Sequence, residues 1–220
     1  MRVAVLVSGR IARWRNNLET IINSLNETFE GCQMDYFASI HPSEESEDFL
    51  KLLNPVKFNV KAFTDFKSDM HPPARKRCLS SAYHRYMGMK LILEYGNYNW
   101  VVFTRADLKH MAPFCLTHPK DKTIYVPIDY QELNDPKFTD GLMPDHINMG
   151  NMEVMKIYSE MFLYADYGPD STYTPHEKVC YTYMSLKGIG MERVSTMHTL
   201  DPDRPDGWWS VRDEFKDLVN

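Results

Sequence analysis

The sequence contains no long apolar run. No stretch approaches the roughly 18–20 consecutive apolar residues that a membrane span requires, so we expect no transmembrane segment. The opening run, MRVAVLV, is short and leads directly into polar residues, which is not the pattern of a signal peptide. We therefore expect a soluble, cytoplasmic protein.

Cysteine is scarce, and its spacing excludes familiar motifs. The four cysteines, Cys32, Cys78, Cys115 and Cys180, lie far apart and form no C-x-x-C pair. This spacing argues against a zinc ribbon and against a thioredoxin motif. With no secretion signal expected, we interpret all four as reduced thiols.

The glycine-rich phosphate loops are also missing. The segment Ser8-Gly9-Arg10 follows an apolar strand but matches neither G-x-G-x-x-G nor G-x-x-x-x-G-K-[ST]. The main sequence grounds for a dinucleotide-binding domain or a P-loop NTPase are therefore absent. A single glycine here usually serves only as a turn. Alternatively, its backbone approaches a nucleotide while Arg10 or Arg13 reaches a phosphate.

Positive charge is in deficit overall but locally concentrated. The formal net charge is −5, which argues against binding nucleic acid or an anionic membrane across the whole surface. Two basic clusters stand out, one formed by Arg10, Arg13 and Arg15 and the other by Arg75, Lys76 and Arg77. They indicate either a small anionic ligand or solvated helix faces.

What the sequence does contain is an alternation of strands and helices. Strands are predicted at RVAVLVSGR, MDYFASIHP, VKFNVKAFT, NWVVFTRAD and KTIYVPID. Helices are predicted over about Arg13–Leu25, SEESEDFLKLLN, about Arg77–Tyr95, MEVMKIYSEMFLYA and PHEKVCYTYMSLKG. We therefore predict a single α/β domain over residues 1–220, with a mixed, mostly parallel sheet flanked by helices.

The most informative carboxylate is Asp107, at the end of the fourth predicted strand. In open α/β sheets ligands bind outside the carboxyl ends of the strands. An aspartate there can hold a divalent cation, which in turn holds phosphate oxygens. The neighbouring Arg105 offers a simpler alternative, because it can pair with Asp107 in a purely structural salt bridge.

Further candidates lie in the second half of the chain. Asp145, before HINMGN, can act as a base, bind sugar hydroxyls or cap a helix. Glu177 opens the last predicted helix, where it also suits the helix dipole. His198 is an isolated histidine that can ligate a metal, although most such histidines do not.

Taken in order, several segments resemble glycosyltransferases of the GT-A fold. These segments are VAVLVSGR, the basic cluster at residues 75–77, YNWVVFTRADL, IYVPID, DHINMGNMEVMKIYSEMF and HEKVCYTYMSLKGIG. Their order resembles the small glycosyltransferase-like domains of giant and chlorella viruses, in which Arg-x-Asp-Leu stands where Asp-x-Asp is usual. The resemblance covers roughly residues 1–200.

This resemblance implies a transferase that moves a sugar from a nucleotide-sugar, with a UDP-sugar favoured, to a glycan or glycoprotein acceptor. It also implies a viral source, location in the host cytoplasm and a role in capsid glycan synthesis. The nucleotide-binding residues would be Val7, Ser8, Gly9, Arg10, Arg13, Arg75, Arg77, Thr104, Arg105, Ala106 and Asp107.

The resemblance also implies a metal site and a catalytic group. Asp107, with His198 as second ligand, would hold Mn²⁺ or Mg²⁺; without a metal, Arg105 would neutralise the diphosphate. An inverting enzyme would use Asp145, or else Glu177, as its base, and the sequence leaves inversion or retention open.

Two alternatives stay open beside the transferase. A nucleotidyltransferase that makes nucleotide-sugars normally has a glycine-rich loop after its first strand, and this chain has one glycine there. A non-catalytic nucleotide- or carbohydrate-binding module on a degenerate transferase fold is the other, because the first acidic position holds Arg105.

Overall fold

The computed structural model describes residues 1–63, 73–110, 113–114, 116, 118–127, 143, 146–164, 176–194 and 198–200. The side chains at 73–77, 164, 176–177 and 198–200 lie outside this description. The statements below refer to the described residues.

A seven-stranded sheet forms the centre of the molecule, in the order β3-β2-β1-β4-β7-β6-β8. Within it only β7 runs antiparallel to its neighbours. A separate antiparallel pair joins β5 and β9. The strands are β1 (Arg2–Gly9), β2 (Gln33–Ile40), β3 (Lys57–Val60), β4 (Trp100–Thr104), β5 (Leu108–His110), β6 (Thr123–Pro127), β7 (Asn148–Gly150), β8 (Gly190–Val194) and β9 (His198–Leu200).

Helices cover both faces of this sheet. They are α1 (Trp14–Thr28), α2 (Ser46–Leu53), α3 (Pro73–Tyr95), α4 (Met152–Tyr164) and α5 (His176–Leu186). Helices α1 and α2 pack on one face, and α3, α4 and α5 pack on the other. The predicted α/β fold with a mostly parallel sheet is therefore confirmed. None of the described helices is long and apolar enough to cross a membrane.

Strand β1 shows why the sheet is covered on both sides. Val3, Val5 and Val7 lie in the clusters on the α1 side, whereas Ala4 and Leu6 lie in the cluster on the α3 side. All five side chains are fully buried. A central parallel strand is buried on both faces, so its sequence is a continuous apolar run rather than an alternating one.

Gly88 sets how closely α3 approaches the sheet. A Cβ atom at this position would lie 2.4 Å from both Cδ atoms of Leu6 on β1. No such contact is sterically possible, so glycine is what permits the close packing of helix on strand.

The chain reverses its direction of winding at β1. From β1 it passes through α1 to β2 and onward to β3, and then crosses through α3 to β4 on the other side of β1. The carboxyl ends of β1 and β4 therefore lie side by side at this point, and the loop after β1 and the segment after β4 border one crevice at this edge of the sheet. We call it the switch crevice, because open α/β sheets bind ligands at this point.

Several boundaries differ from the predicted ones. Helix α3 begins at Pro73, four residues before the predicted start, because proline suits the first helical position. The basic cluster therefore lies within the first five residues of α3. Strand β3 is shorter than predicted and largely exposed at the sheet edge. Four strands are absent from the predicted set. Strands β5, β7 and β9 have three residues each, which is too few for a periodic pattern, and the fourth is β8.

Candidate functional site

The loop after β1 forms one wall of the switch crevice. Gly9 has φ 94°, a left-handed conformation that lets the chain turn away from the sheet. Arg13, just before α1, has φ 59°, which is uncommon for a residue with a side chain. The first turn of α1 has no acidic residue, and Arg13 makes no side-chain capping bond in the described structure. The first turn of α1 therefore supplies no acidic side chain of its own to balance the positive end of the helix.

The segment after β4 forms the opposite wall. Arg105 donates from Nε to Asp107 Oδ1 at 2.9 Å and from Nη2 to Asp107 Oδ2 at 2.6 Å. Both side chains are partly exposed, at 25% and 20%. Ala106, between them, is buried in the same cluster as Val7 and Ile11, which fixes this segment against the β1 loop.

This ion pair bears on whether Asp107 can hold a metal. Both of its carboxylate oxygens accept hydrogen bonds from Arg105, so a cation would first have to displace the guanidinium. Among the described residues no three His, Cys, Asp or Glu side chains are grouped as a metal site. In this arrangement Asp107 acts as the partner that orients Arg105.

A second polar cluster lies beside the crevice, where β2 ends against α3. His41 Nε2 lies 2.5 Å from Ser80 Oγ, and the ring of His41 contacts that of His84 with centroids 4.5 Å apart. His84 Nδ1 lies 3.2 Å from Ser39 Oγ. The amide of Asn59 donates to the same Ser39 hydroxyl at 3.4 Å. The two imidazoles, together with these serine and asparagine side chains, thus form a continuous polar surface from β3 through β2 to α3.

Burial keeps both of these histidines neutral at pH 7. It lowers the pKa of His84 to about 3, with a further contribution from His41. Burial also lowers the pKa of His41, and the nearby Arg10 guanidinium adds to that effect. His84 is completely buried, and its Nε2 atom has no hydrogen-bond partner in the described structure.

A third histidine lies on the opposite face of the sheet. His110 Nε2 lies 3.3 Å from Thr104 Oγ1, and the His110 amide donates to Thr20 Oγ1 at 3.2 Å. Complete burial lowers the pKa of His110 to about 3. These contacts join β4, β5 and α1 beneath the Arg105–Asp107 pair, so their role is to hold that segment in place.

The structure gathers part of the predicted nucleotide-binding set at the crevice. Its polar walls carry Ser8, Gly9, Arg10, Arg13, Arg105 and Asp107, although Ser8 is buried. The remaining described members, Val7, Thr104 and Ala106, are fully buried or nearly so and support the walls from beneath.

Other predicted residues fall partly or wholly outside the described residues. Asp145 lies outside them. The backbones of Arg75 and Arg77 lie within the first five residues of α3, and that of Glu177 lies at the start of α5, but their side chains are not described. The His198 backbone pairs with that of His110 in the β5–β9 sheet, and its side chain is likewise outside the description.

The sequence reasoning missed the histidine cluster. The sequence did carry a signal. Ser39 and His41 are two residues apart, which places them on one face at the end of a buried strand, and Ser80 and His84 are four residues apart on one helix face. Nothing in the sequence, however, indicates that these two pairs meet.

Comparisons with known proteins add little beyond the fold. No protein-family model matches the chain, and no curated protein sequence matches it. A solved structure from Desulfovibrio desulfuricans G20, named "putative nucleotide-diphospho-sugar transferase", is similar with a TM-score of 0.48 and 9% identity. The similarity covers 88% of this chain and 79% of that one. At this level it assigns no substrate, and the α/β fold rests on the strand order itself.

Proposed function

We propose that this protein is a glycosyltransferase that takes its sugar from a nucleotide-sugar, with a UDP-sugar favoured, and transfers it to a hydroxyl group of a glycan or glycoprotein. One observation carries the proposal. The Arg105–Asp107 pair and the Gly9–Arg10 loop flank the switch crevice, where an open α/β sheet binds its ligand.

The charges around the crevice suit a diphosphate. Arg10 is exposed and forms no ion pair within the described residues, and the first turn of α1 contains no acidic residue of its own. Backbone N–H groups at a helix N-terminus favour anions, and arginine matches phosphate oxygens with two donors at once. A nucleoside diphosphate would supply the negative charge that balances these groups.

The same groups account for the chemistry. Transfer breaks the bond between the sugar carbon and the diphosphate oxygen, and negative charge grows on the leaving diphosphate. Arg105 would stabilise that charge, since electrostatic groups fixed before the reaction need no reorganisation during it. Asp107 holds the guanidinium in one orientation, so its role in this mechanism is positioning.

A metal-dependent mechanism is the other form of the proposal. Asp107 and His198 would then hold Mn²⁺ or Mg²⁺ in place of the Arg105 contact. The described donor set does not fit a cation while Arg105 occupies both oxygens, so we derive no step through a metal.

The base and the biological setting rest on the sequence resemblance alone. In an inverting reaction, Asp145 or Glu177 would take the proton from the acceptor hydroxyl. The viral source and the role in capsid glycan synthesis remain proposals of the same kind.

A transfer assay tests the proposed function. The native protein is incubated with UDP-, GDP- and CMP-sugars, and release of the nucleotide is measured with and without a glycan acceptor. Arg105→Ala should lower the rate by about 10²–10³. Arg15→Ala is the matched control, because Arg15 is exposed and paired with Glu45 and Asp48. Absence of turnover by the native protein would favour a non-catalytic binding module.

A further inference from the structure

His41 lies at the boundary between the β1 loop and α3. It directly follows β2, and its backbone N–H donates to Gly9 O at 3.0 Å. This bond ties it to the residue at which β1 turns into the crevice. Its ring is only partly buried, whereas His84 behind it is fully buried. His41 therefore presents the accessible side of the histidine pair.

The contacts of the His41 ring fix its orientation and leave one nitrogen available. Nε2 is engaged with Ser80 Oγ at 2.5 Å, and among the described residues Nδ1 has no hydrogen-bond partner. When Ser80 donates its hydroxyl proton to Nε2, the neutral ring carries its proton on Nδ1. The free nitrogen is then a donor that can reach an incoming anion.

The groups that face this ring are cationic or neutral. Arg10 approaches from the β1 loop, and Ser80 and His84 approach from α3. Behind His84, Ser39 from β2 contacts its ring, and Asn59 from β3 donates to the Ser39 hydroxyl. None of these five residues is an acid. An anion bound here would therefore meet no carboxylate from these five residues.

We propose that His41 is a ligand-contacting residue that binds a phosphate group together with Arg10 and takes up a proton when it does so. This inference rests on the proposed function, because it adds a phosphate contact to the nucleotide-sugar site. The ligand class is a diphosphate ester, and inorganic pyrophosphate is its smallest form.

The physical reason for proton uptake is a change in the local field. In the free protein, burial and Arg10 hold the pKa of His41 below its ordinary value. A phosphate next to the ring favours the charged imidazolium and raises that pKa. The added proton goes from solvent to Nε2, which then donates to Ser80 Oγ instead of accepting from it. No hydrogen bond is lost, and the ring gains a charge-assisted bond to phosphate.

The test is an NMR titration of the histidine rings of the native protein between pH 5 and 8. It is run without ligand, with saturating UDP and with saturating pyrophosphate. The His41 signal is assigned by its absence in His41→Asn. We expect the His41 pKa to rise by about one unit on binding, which corresponds to about tenfold tighter binding at low pH than at high pH. His118→Asn, which removes an exposed histidine, should leave this shift unchanged.

Titration calorimetry supplies a second readout. Phosphate groups titrate in the same pH range as histidine. The native protein is therefore compared with His41→Asn, in which the proton uptake that comes from the ligand itself is retained. The native protein should take up more protons on binding, and the variant should show a weaker pH dependence of affinity.

The outcomes separate this inference from the proposed function. Pyrophosphate binding with a raised His41 pKa, but no binding of a nucleotide, would support the phosphate contact and contradict the transferase. Nucleotide binding with an unchanged His41 pKa would overturn the phosphate contact and leave the transferase standing. Failure of both probes to bind would overturn the inference.

Discussion

Arg105 binds both carboxylate oxygens of Asp107, through bonds of 2.9 and 2.6 Å that leave from two different guanidinium nitrogens. The residues are two apart in sequence and pair across the turn that follows β4. Such a two-point pairing restricts the guanidinium plane as well as its position. The pair can therefore present a fixed positive group at the switch crevice.

This pairing predicts unequal effects of the two substitutions. Arg105→Ala removes the charge that would face a bound diphosphate in the proposed function, and we expect a rate loss of about 10²–10³. Asp107→Asn keeps an acceptor for the guanidinium but loses its charge, and we expect a smaller loss of about tenfold, equal to about 1.4 kcal/mol. Nucleotide release from the nucleotide-sugar that the native protein turns over measures both.

A metal site at Asp107 would reverse this order. Asp107→Asn would then be the more damaging change, and added Mn²⁺ would raise the activity of the native protein but not of the variant. Arg15→Ala serves again as the reference, because its partners Glu45 and Asp48 are exposed surface residues.

The contact between Gly88 and Leu6 predicts a loss of stability. Alanine favours a helix over glycine by about 1 kcal/mol, so an unhindered Gly88→Ala would stabilise α3. Here the added Cβ would meet the fully buried Leu6 side chain, and we expect a net destabilisation of about 1–3 kcal/mol. Urea unfolding measures the change.

The double variant Leu6→Ala/Gly88→Ala identifies the cause of this loss. If the two side chains compete for one space, the double variant will be more stable than the sum of the two single effects predicts. Simple additivity would show that Gly88 matters for another reason.

The buried histidines predict a loss of stability in mild acid. The pKa of His110 is about 3 in the folded protein, below the roughly 6.5 of an unfolded chain. The unfolded state therefore binds more protons between these values, so the contribution is complete above pH 6.5 and falls as the pH approaches 3. From pH 7.5 to 5.5 this residue should remove about 1.4 kcal/mol from the free energy of unfolding.

A substitution isolates this contribution from that of other titrating groups. His110→Gln should reduce the pH dependence of the urea unfolding free energy by about that amount, and His84→Gln should act in the same direction. His118→Gln, on the surface, is the matched control. An equal slope in the native protein and His110→Gln would show that folding does not lower the pKa of His110.

Much of the architecture could be predicted because the central strands carry a strong signal. β1 and β4 are continuous apolar runs, and α1 and α4 show clear apolar spacing. Strands such as β7 could not be found, because three residues give no period and β7 exists only through pairing with β4 and β6.

The candidate site likewise contains a local contact that the sequence could suggest and a long-range contact that it could not. From the sequence, Asp107 could either hold a cation or form a salt bridge with Arg105. The structure shows the salt bridge. The contact between His41 and Ser80 joins residues 39 positions apart. It depends on where α3 packs against β2, and local sequence does not determine that position.

Isothermal titration of UDP, GDP and CMP, each with and without Mn²⁺, measures nucleotide binding at the switch crevice most directly. We predict that one nucleotide binds without Mn²⁺ and that Arg105→Ala loses this binding while Arg15→Ala keeps it. Binding that requires Mn²⁺ would move the charge-stabilising role from Arg105 to a metal at Asp107. If no nucleotide binds under either condition, the crevice is not a nucleotide site and the proposed function is contradicted.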